Sequence, residues 1–357
     1  MSSLVVQTSF LGDVILTTPL IAELARRGPV DVVTTPESAA VLANNPGIRN
    51  VVVYDKRGAD RGVGGFRRTV NRIRAAGLDT LPRSPGIPEA GSTFEAAYLA
   101  QGSIRSAALV RAAGISNRIG FHTSSGSAFY TSRVAYRADR HHAERLWWLS
   151  MSECADEPQP WQVMPRLYPS AADIESAEDL LRTLSNATPR PFVALAPGSA
   201  WGTKRWPYFQ DLAALLAETH DIVVLGGSED AALGETIIAG LPKGTGINAA
   251  GRTGLLASAE LIRRAAALVT NDSAPQHIAS AMGTPTVTVF GPTVPEFGFG
   301  PLGPASSTAG HEGLACRPCD SHGPHRCPLG HWRCMRELSS GSVFALLAQT
   351  LSQANGR

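Results

Sequence analysis

Two stretches of the chain share one pattern: an apolar strand breaks into a loop of small residues and then a helix begins. The first covers residues 193–207, VALAPGSAWGTKRWP, and the second covers residues 268–283, LVTNDSAPQHIASAMG. Strands that alternate with helices in this way build parallel sheets with helices packed on their faces. These two stretches therefore restrict the second half of the chain to an α/β fold.

Both predicted helices begin directly after their loops. Pro207 suits the first turn of a helix, where its missing N–H is no loss, and Ser273 is a suitable N-cap. A helix N-terminus presents free N–H groups and a partial positive charge, so it receives anions and above all phosphates. With Lys204 in the first loop, the two helix ends predict a cradle for a pyrophosphate, as carried by a nucleotide-sugar.

The same alternation of strand and helix runs through most of the chain, which at 357 residues favours two domains. A proline-rich span over 158–169 is the predicted linker. We therefore expect a domain over 1–165, a second over 166–340, and a C-terminal helix over 341–357 that packs back on the first domain. The predicted strands are 4–8, 30–34, 51–54, 95–100, 118–121, 192–196, 222–225, 268–271 and 286–290.

Asp13 lies in the turn SFLGD that follows the first predicted strand. In open parallel sheets, ligands bind beyond the carboxyl ends of the strands. Its carboxylate is therefore expected where chemistry takes place. The alternative is a purely structural role, in which Asp13 caps the helix predicted to begin at Val14.

The most basic run of the chain covers residues 56–74, where seven Lys and Arg residues accompany a single acid, Asp60. Arg68 and Arg72 are four residues apart and would share one helix face. The run is either an ordinary solvated surface or an electropositive patch for an acidic acceptor or an anionic membrane. Arg105, in the first turn of a later helix, is a further candidate for contact with an acceptor.

Four of the five cysteines lie close together near the C-terminus. A C-x-x-C pair is a common metal hook, and four thiols could close a tetrahedral zinc site. The second pair is separated by six residues, unlike a zinc ribbon, although His322, His325 and His331 could substitute as ligands. Three interpretations of these cysteines remain: reduced structural thiols, a zinc site, and a disulfide or iron–sulfur site. The cysteines are Cys316, Cys319, Cys327 and Cys334.

Composition and missing motifs exclude several classes of protein. The net charge of +2 argues against general nucleic-acid binding. No apolar run approaches the roughly 18 residues of a membrane span, and the N-terminus lacks the pattern of a signal peptide. No G-x-G-x-x-G follows the first strand, and no P-loop is present. Because an Asp-x-Asp metal clamp is also missing, Lys204 and the helix ends must neutralise a departing diphosphate.

Several motifs together resemble the glycosyltransferase family 9 heptosyltransferases of lipopolysaccharide core synthesis, most closely the heptosyltransferase II type. They are SFLGDVILTTPL (9–20), LAQGSIRSAALVRAAGISNRIGF (99–121), PGSAWGTKRWP (197–207), VLGGSED (224–230), the long stretch 250–293 and the cysteine-rich tail. The resemblance implies the GT-B architecture, in which two Rossmann-like domains face each other across a cleft. It also implies ADP-heptose as the donor and an inner-core lipopolysaccharide precursor as the acceptor.

The resemblance also implies roles for individual residues. Asp13 matches the proposed catalytic base, Lys204 the lysine on the donor phosphates, and Asp272 the acid that holds the donor sugar. Where many relatives have glycine after Asp-Thr/Ser, this chain has Ala274, which restricts close backbone approach. The remaining donor-side residues are Ser199, Ala200, Glu229 at the ribose, Ser273, Ala274 and His277. The acceptor-side residues are Gly12, Arg61, Arg68, Arg72, Ser103 and Arg105.

The implied reaction is an inverting, metal-independent transfer in which Asp13 takes a proton from the acceptor hydroxyl. No cofactor is required, with a structural zinc left open. The protein is expected to be a cytoplasmic monomer that touches the inner face of the inner membrane through its lipid-linked acceptor. The alternatives are a family-9 transferase with another nucleotide-sugar and a non-catalytic nucleotide-sugar-binding protein. Lys204, Asp272 and His277 could each be structural instead.

Overall fold

The chain forms two compact units, Met1–Pro165 and Arg166–Arg357, each built around its own parallel sheet. The computed structural model describes residues 2–78, 94–151, 155–184, 190–303 and 305–356. The division lies within the proline-rich span of the sequence. Each unit is described below by itself.

The first unit contains a six-stranded sheet in the order β3-β2-β1-β4-β5-β6, and every neighbouring pair of strands is parallel. Its strands are β1 (Ser3–Val6), β2 (Val30–Thr34), β3 (Asn50–Val53), β4 (Ala96–Leu99), β5 (Arg118–Phe121) and β6 (Ser132–Val134). Its helices are α1 (Leu11–Leu16), α2 (Thr18–Ala25), α3 (Pro36–Val41), α4 (Gly62–Leu78), α5 (Ile104–Ala112) and α6 (His142–Trp148).

The second unit repeats this plan with a six-stranded parallel sheet in the order β12-β11-β10-β7-β8-β9. Its strands are β7 (Phe192–Ala196), β8 (Asp221–Val224), β9 (Gly246–Asn248), β10 (Ala267–Asn271), β11 (Thr286–Phe290) and β12 (Ser306–Gly310). Its helices are α7 (Ala171–Leu181), α8 (Phe209–Leu216), α9 (Ala231–Ala239), α10 (Leu255–Arg264), α11 (Ala274–Met282), α12 (Arg333–Arg336) and α13 (Ser340–Asn355).

The central strands are buried over their whole length, because helices cover both faces of each sheet. Every residue of β1, β2, β7, β10 and β11 is buried. Such strands appear in sequence as continuous apolar runs, which is why they could be recognised there. The predicted α/β fold with two parallel sheets is confirmed.

Each sheet has one point where the strand order reverses direction along the chain. In the first unit this switch point lies between β1 and β4, and in the second it lies between β7 and β10. The loops after these two strands leave the sheet in opposite directions, so a crevice opens between them where ligands bind. Asp13 follows β1, while Lys204 follows β7 and Asp272 follows β10.

Several element boundaries differ from the sequence prediction. Helix α1 begins at Leu11, so Asp13 lies inside its first turn and does not precede it. Helix α8 begins at Phe209, two residues beyond Pro207, because the chain first makes a 3₁₀ turn at Gly202–Lys204. Strands β6, β9 and β12 were not predicted, since they are short and carry no apolar run.

The C-terminal helix α13 packs against α8, β11 and β12 of the second unit. Its buried residues are Val343, Leu347 and Thr350, and both aliphatic side chains belong to the core of that unit. This differs from the expectation that the helix packs on the first domain. The reason is that Val343 and Leu347 complete an apolar core to which α8 and β11 contribute Leu212, Leu216, Val287 and Val289.

Among the described residues, no helix is both long enough and apolar enough to span a bilayer.

Candidate functional site

The centre of the second unit's switch point is an ion pair between Lys204 and Asp272. Lys204 ends the 3₁₀ turn after β7, and its Nζ donates to Oδ2 of Asp272 at 2.6 Å. Both side chains are only 10% exposed. Residues 68 positions apart in the sequence are therefore joined where the strand order reverses.

Asp272 accepts two further hydrogen bonds, so both of its carboxylate oxygens are engaged. Thr293, which follows β11, donates through Oγ1 to Oδ2 at 2.6 Å. Gln276, in α11, donates through Nε2 to Oδ1 at 2.9 Å. The sequence prediction missed both residues. Gly291-Pro292-Thr293 stood out as a strand end, but nothing in the sequence indicates that its threonine reaches Asp272.

Asn271, the last residue of β10, attaches the lysine loop to the sheet. Its Nδ2 donates to the carbonyl oxygen of Pro197 at 2.7 Å, and its Oδ1 accepts from the backbone N–H of Trp206 at 3.0 Å. It is fully buried. These bonds hold both ends of the loop that carries Lys204, and this residue too was absent from the prediction.

The start of the same loop needs glycine at position 198. A Cβ placed on Gly198 would lie 2.2 Å from Oδ2 of Asp230. Asp230 is buried, and this burial raises the pKa of its carboxyl group above the usual value. The close approach brings the loop after β7 against the loop after β8.

The other predicted donor residues surround this centre without contacting the ion pair directly. Ser199 is buried and accepts from the backbone N–H of Trp201 at 3.2 Å, whereas Ala200 is exposed. Glu229 is exposed in the turn after β8. His277 is buried in α11.

Ser273 occupies the N-cap position of α11, but its side chain does not cap the helix. Its Oγ instead donates to the carbonyl oxygen of Asn271 at 3.3 Å. The predicted N-cap position of Ser273 is therefore confirmed, although its hydroxyl makes no capping bond. Ala274 begins the helix and Pro275 follows within the first turn.

The cysteine-rich segment, residues 311–338, packs on the lysine loop. Nε1 of Trp332 donates to the carbonyl oxygen of Thr203 at 2.9 Å, and Thr203 Oγ1 donates to the carbonyl oxygen of Pro324. The His325 ring lies 4.7 Å from that of Trp201. The segment therefore braces the turn that positions Lys204.

The four thiols of this segment are all free. Burial raises the pKa of Cys334 to about 11, while backbone N–H groups outweigh the desolvation of Cys327 and lower its pKa. Among the described residues, no three His, Cys, Asp or Glu side chains are arranged to hold one metal ion. The contacts above account for a bracing role of the segment.

In the first unit, Asp13 lies at the carboxyl edge of the sheet with its side chain 20% exposed. Ser9 donates through Oγ to Oδ2 of Asp13 at 2.6 Å. Nε2 of His142, from α6, lies 3.8 Å from the other carboxylate oxygen, Oδ1. Gly12 precedes Asp13 in the same helix.

The predicted acceptor arginines fall into two groups. Arg72 donates to Oδ2 of Asp60 at 2.5 Å, and Arg68 lies 3.5 Å from Oδ1 of the same carboxylate, because Asp60 is the single acid of the basic run. These two guanidinium groups therefore bind an acid of the same basic run. Arg61 is exposed, and Arg105 is exposed beside Tyr54.

Ser103 caps the helix α5 instead of pointing freely outward. Its Oγ accepts from the backbone N–H of Ser106 at 3.1 Å. The hydroxyl also lies near Oε1 of Gln101, at 3.3 Å. A direct acceptor contact would have to compete with these bonds.

Lys56 contacts the chain just after β1, although the sequence indicated it only as part of the basic run. Its Nζ donates to the carbonyl oxygen of Thr8 at 2.6 Å, next to Ser9 and hence to Asp13. Burial, together with the nearby charges of Arg57 and Arg105, lowers the pKa of Lys56 below its usual value. Three cations therefore lie together near the end of β1, where they offer a place for an anionic group.

Comparisons with known proteins identify the family of the chain. The model of glycosyltransferase family 9 (heptosyltransferase) matches residues 90–328. Lipooligosaccharide heptosyltransferase 2 of Haemophilus influenzae is 36% identical over 115 residues, which are 30% of this chain and 33% of that protein. Lipopolysaccharide heptosyltransferase 2 of Escherichia coli is 26% identical over 321 residues, 83% of this chain and 84% of that protein.

The fold agrees with a solved structure as well. The Escherichia coli ADP-heptose lipopolysaccharide heptosyltransferase II superposes with a TM-score of 0.77 at 23% identity, covering 99% of this chain and all of that one. The family model extends over more than half of the chain, across the switch-point residues of the second unit. The chain therefore belongs to glycosyltransferase family 9 (heptosyltransferase).

Proposed function

We propose that this protein transfers a heptose from ADP-heptose to an inner-core lipopolysaccharide acceptor with inversion at the anomeric carbon. The observation that carries the proposal is the ion pair of Lys204 and Asp272 at the switch point of the second unit. A cation and a carboxylate held together at that point offer one group for a diphosphate and one for sugar hydroxyls. The names of the similar heptosyltransferases support the choice of sugar.

The second unit would bind the donor. An ammonium group has three N–H donors, and Asp272 takes one of them, so the others are available to phosphate oxygens. The N-terminus of the nine-residue helix α11 adds its partial positive charge and the backbone N–H of Ala274 beside Asp272, whereas Pro275 has no N–H and that of Gln276 donates to the carbonyl oxygen of Ser273. Glu229 would reach the ribose of the donor. The other residues proposed to contact the donor are Ser199, Ala200, Ser273, Ala274 and His277.

The first unit would bind the acceptor and supply the base. Asp13 removes the proton of the acceptor hydroxyl while that oxygen attacks the anomeric carbon and ADP departs. One displacement with one base inverts the configuration, and no covalent intermediate forms. Lys204 and the positive end of the α11 dipole stabilise the negative charge that develops on the diphosphate.

The converging cations of the first unit suit an acidic acceptor. Lys56, Arg57 and Arg105 lie together near the end of β1, and Arg61 and Gly12 would add to the acceptor side. The exposed arginines would also favour contact with anionic lipid at the inner face of the inner membrane. We also propose that the protein is a monomer. It needs no cofactor or catalytic metal, since its own cations can neutralise the leaving group.

The decisive test is a transfer assay with ADP-heptose and a lipopolysaccharide precursor that lacks the heptose. Asp13→Asn should lose at least about 100-fold in turnover, as removal of a general base typically does. Asp139→Asn, on an exposed aspartate of the same unit, should behave as the native protein. Retained turnover in Asp13→Asn would refute the assigned base.

Three further measurements separate the alternatives. Nuclear magnetic resonance of the product shows whether the anomeric configuration is inverted. A thermal-shift screen against ADP, UDP and GDP identifies the nucleotide, because a ligand of the folded state raises the melting temperature. Activity that survives treatment with a metal chelator supports a metal-independent transfer. Binding of ADP-heptose without any transfer would favour a non-catalytic nucleotide-sugar-binding protein.

A further inference from the structure

A buried histidine stands beside the candidate base and has no role in the reaction described so far. His142 is the first residue of α6, and its side chain is 12% exposed. Its Nε2 lies 3.8 Å from Oδ1 of Asp13, slightly more than a hydrogen-bond distance. Catalytic hydrogen bonds are often long before substrate binds and shorten in the reacting complex.

Ser9 by itself does not fix the orientation of Asp13. Its Oγ lies 2.6 Å from Oδ2 of Asp13 and 2.7 Å from Oε1 of Gln7. A hydroxyl has one proton, so it donates to only one of these oxygens at a time. The carboxylate therefore needs a second partner if it is to hold one orientation.

The helix that carries His142 is anchored firmly. Arg145, one turn further along, is buried and donates to the carbonyl oxygens of Arg137 at 2.8 Å and Ala138 at 2.6 Å. It also donates to the phenolic oxygen of Tyr136 at 2.7 Å. Because α6 also packs on α1 and α2, the imidazole stays close to Asp13.

The surroundings of the imidazole favour its neutral form. Burial lowers the pKa of His142, the positive charge of Arg145 lowers it further, and Asp13 opposes both effects without reversing them. The charged groups acting on this ring are Asp13 from α1 and Arg145 from its own helix. A neutral imidazole can donate one hydrogen bond, but it does not form the ion pair that would weaken Asp13 as a base.

We propose that His142 is a positioning residue for Asp13, and that it holds Oδ1 while the acceptor hydroxyl gives its proton to the carboxylate. The hydroxyl O–H bond breaks and its proton goes to Asp13, while the acceptor oxygen forms the new bond to the anomeric carbon. The bond between that carbon and the phosphate oxygen breaks, and ADP leaves with its electrons. His142 keeps its own proton throughout. This inference rests on the proposed function, because it requires Asp13 to be the base.

The test compares two substitutions of His142 in the full chain. His142→Leu removes the donor, and misplacement of the base should lower kcat about 100-fold, with KM for both substrates within about twofold. His142→Gln restores an N–H donor and should recover most of that loss. His220→Gln, on a histidine at the amino end of β8, is the matched control and should leave kcat unchanged.

Two readouts distinguish positioning from a merely structural role. The acid limb of the pH–rate profile should move to higher pH in His142→Leu, because a hydrogen bond to the charged form of the base is lost. His142→Gln should keep the native profile. Equal losses in both variants with an unchanged profile would show that the histidine only supports the fold, and would overturn the inference.

A double substitution then separates this inference from the proposed function. If His142 acts through Asp13, Asp13→Asn with His142→Leu should be no slower than Asp13→Asn alone. Losses that multiply in the double variant, or full turnover in His142→Leu, would refute the positioning role alone. Full turnover in Asp13→Asn would instead refute the assigned base.

Discussion

Substitution of Lys204 by Met should destabilise the second unit strongly, although the change conserves length and removes only a charge. The side chains of Lys204 and Asp272 are 10% exposed, so the remaining carboxylate would stay buried without its cation. Removing one partner of a buried ion pair costs about 3–5 kcal/mol in free energy of unfolding. Asp272 keeps its bonds from Thr293 and Gln276, so we expect about 3 kcal/mol.

The measurement is thermal unfolding of the full chain, in which the transition that responds to ADP reports the second unit. A loss of about 3 kcal/mol corresponds to a melting temperature lower by roughly 6–12 °C for a domain of this size. Lys243→Met, on an exposed lysine of the same unit, should change stability by less than about 0.5 kcal/mol.

The double variant Lys204→Met with Asp272→Asn tests the cause. Removing both charges should restore part of the lost stability, because no uncompensated charge remains buried. The reasoning is refuted if Lys204→Met costs less than about 1 kcal/mol, or if the double variant is as unstable as the sum of its single changes.

Three further outcomes are expected. Glu260 is buried, and its hydrogen bonds from Arg263 and Arg264 lower its pKa below the ordinary value of 4.5. The charged carboxylate therefore stabilises the folded state fully above pH 4.5. This stabilisation is lost as the pH falls through the lowered pKa of the folded state. The destabilisation by Glu260→Gln should therefore shrink in acid, and a melting-temperature loss that is equal at pH 7 and pH 2 would contradict this. Lys56→Met should raise KM for the acceptor while the donor KM stays within about twofold, and an unchanged acceptor KM would exclude its role. Gly198→Ala should cost about 1–3 kcal/mol and weaken ADP binding, because the new methyl group meets the Asp230 carboxylate, whereas Gly254→Ala meets no atom within 4 Å and should be tolerated.

The sequence was a good guide to the strands at the centre of each sheet and a poor guide to those at the edges. Strands β2, β7 and β11 have the predicted bounds, because burial on both faces requires a continuous apolar run. Strand β5 also has its predicted bounds, although only half of its residues are buried. Strand β12, SSTAG, is partly exposed and carries no such run. Its existence depends on pairing with β11, which is a tertiary contact.

Some residues of the candidate site could likewise be predicted from the sequence, and others could not. Lys204 and Asp272 could be singled out because each lies in a small-residue loop between a strand and a helix. Thr293 and Asn271 could not, since their contacts join segments 21 and 74 residues apart in the chain. Gln276 lies only four residues from Asp272 in the same stretch, and the sequence prediction overlooked it. His142 was likewise hidden, because only the packing of α6 on α1 brings it to Asp13.

The sequence by itself determined the α/β class, the family and the chemical types of the central groups, because these follow from local apolar runs and from motifs of neighbouring residues. Only the tertiary structure decided the partners of those groups. It placed Lys204 on Asp272, Lys56 on the end of β1, and Arg68 and Arg72 on Asp60. The physical reason is that parallel sheets bring distant strand ends to one edge, where hydrogen bonds and charge pairing form between residues that no local pattern connects.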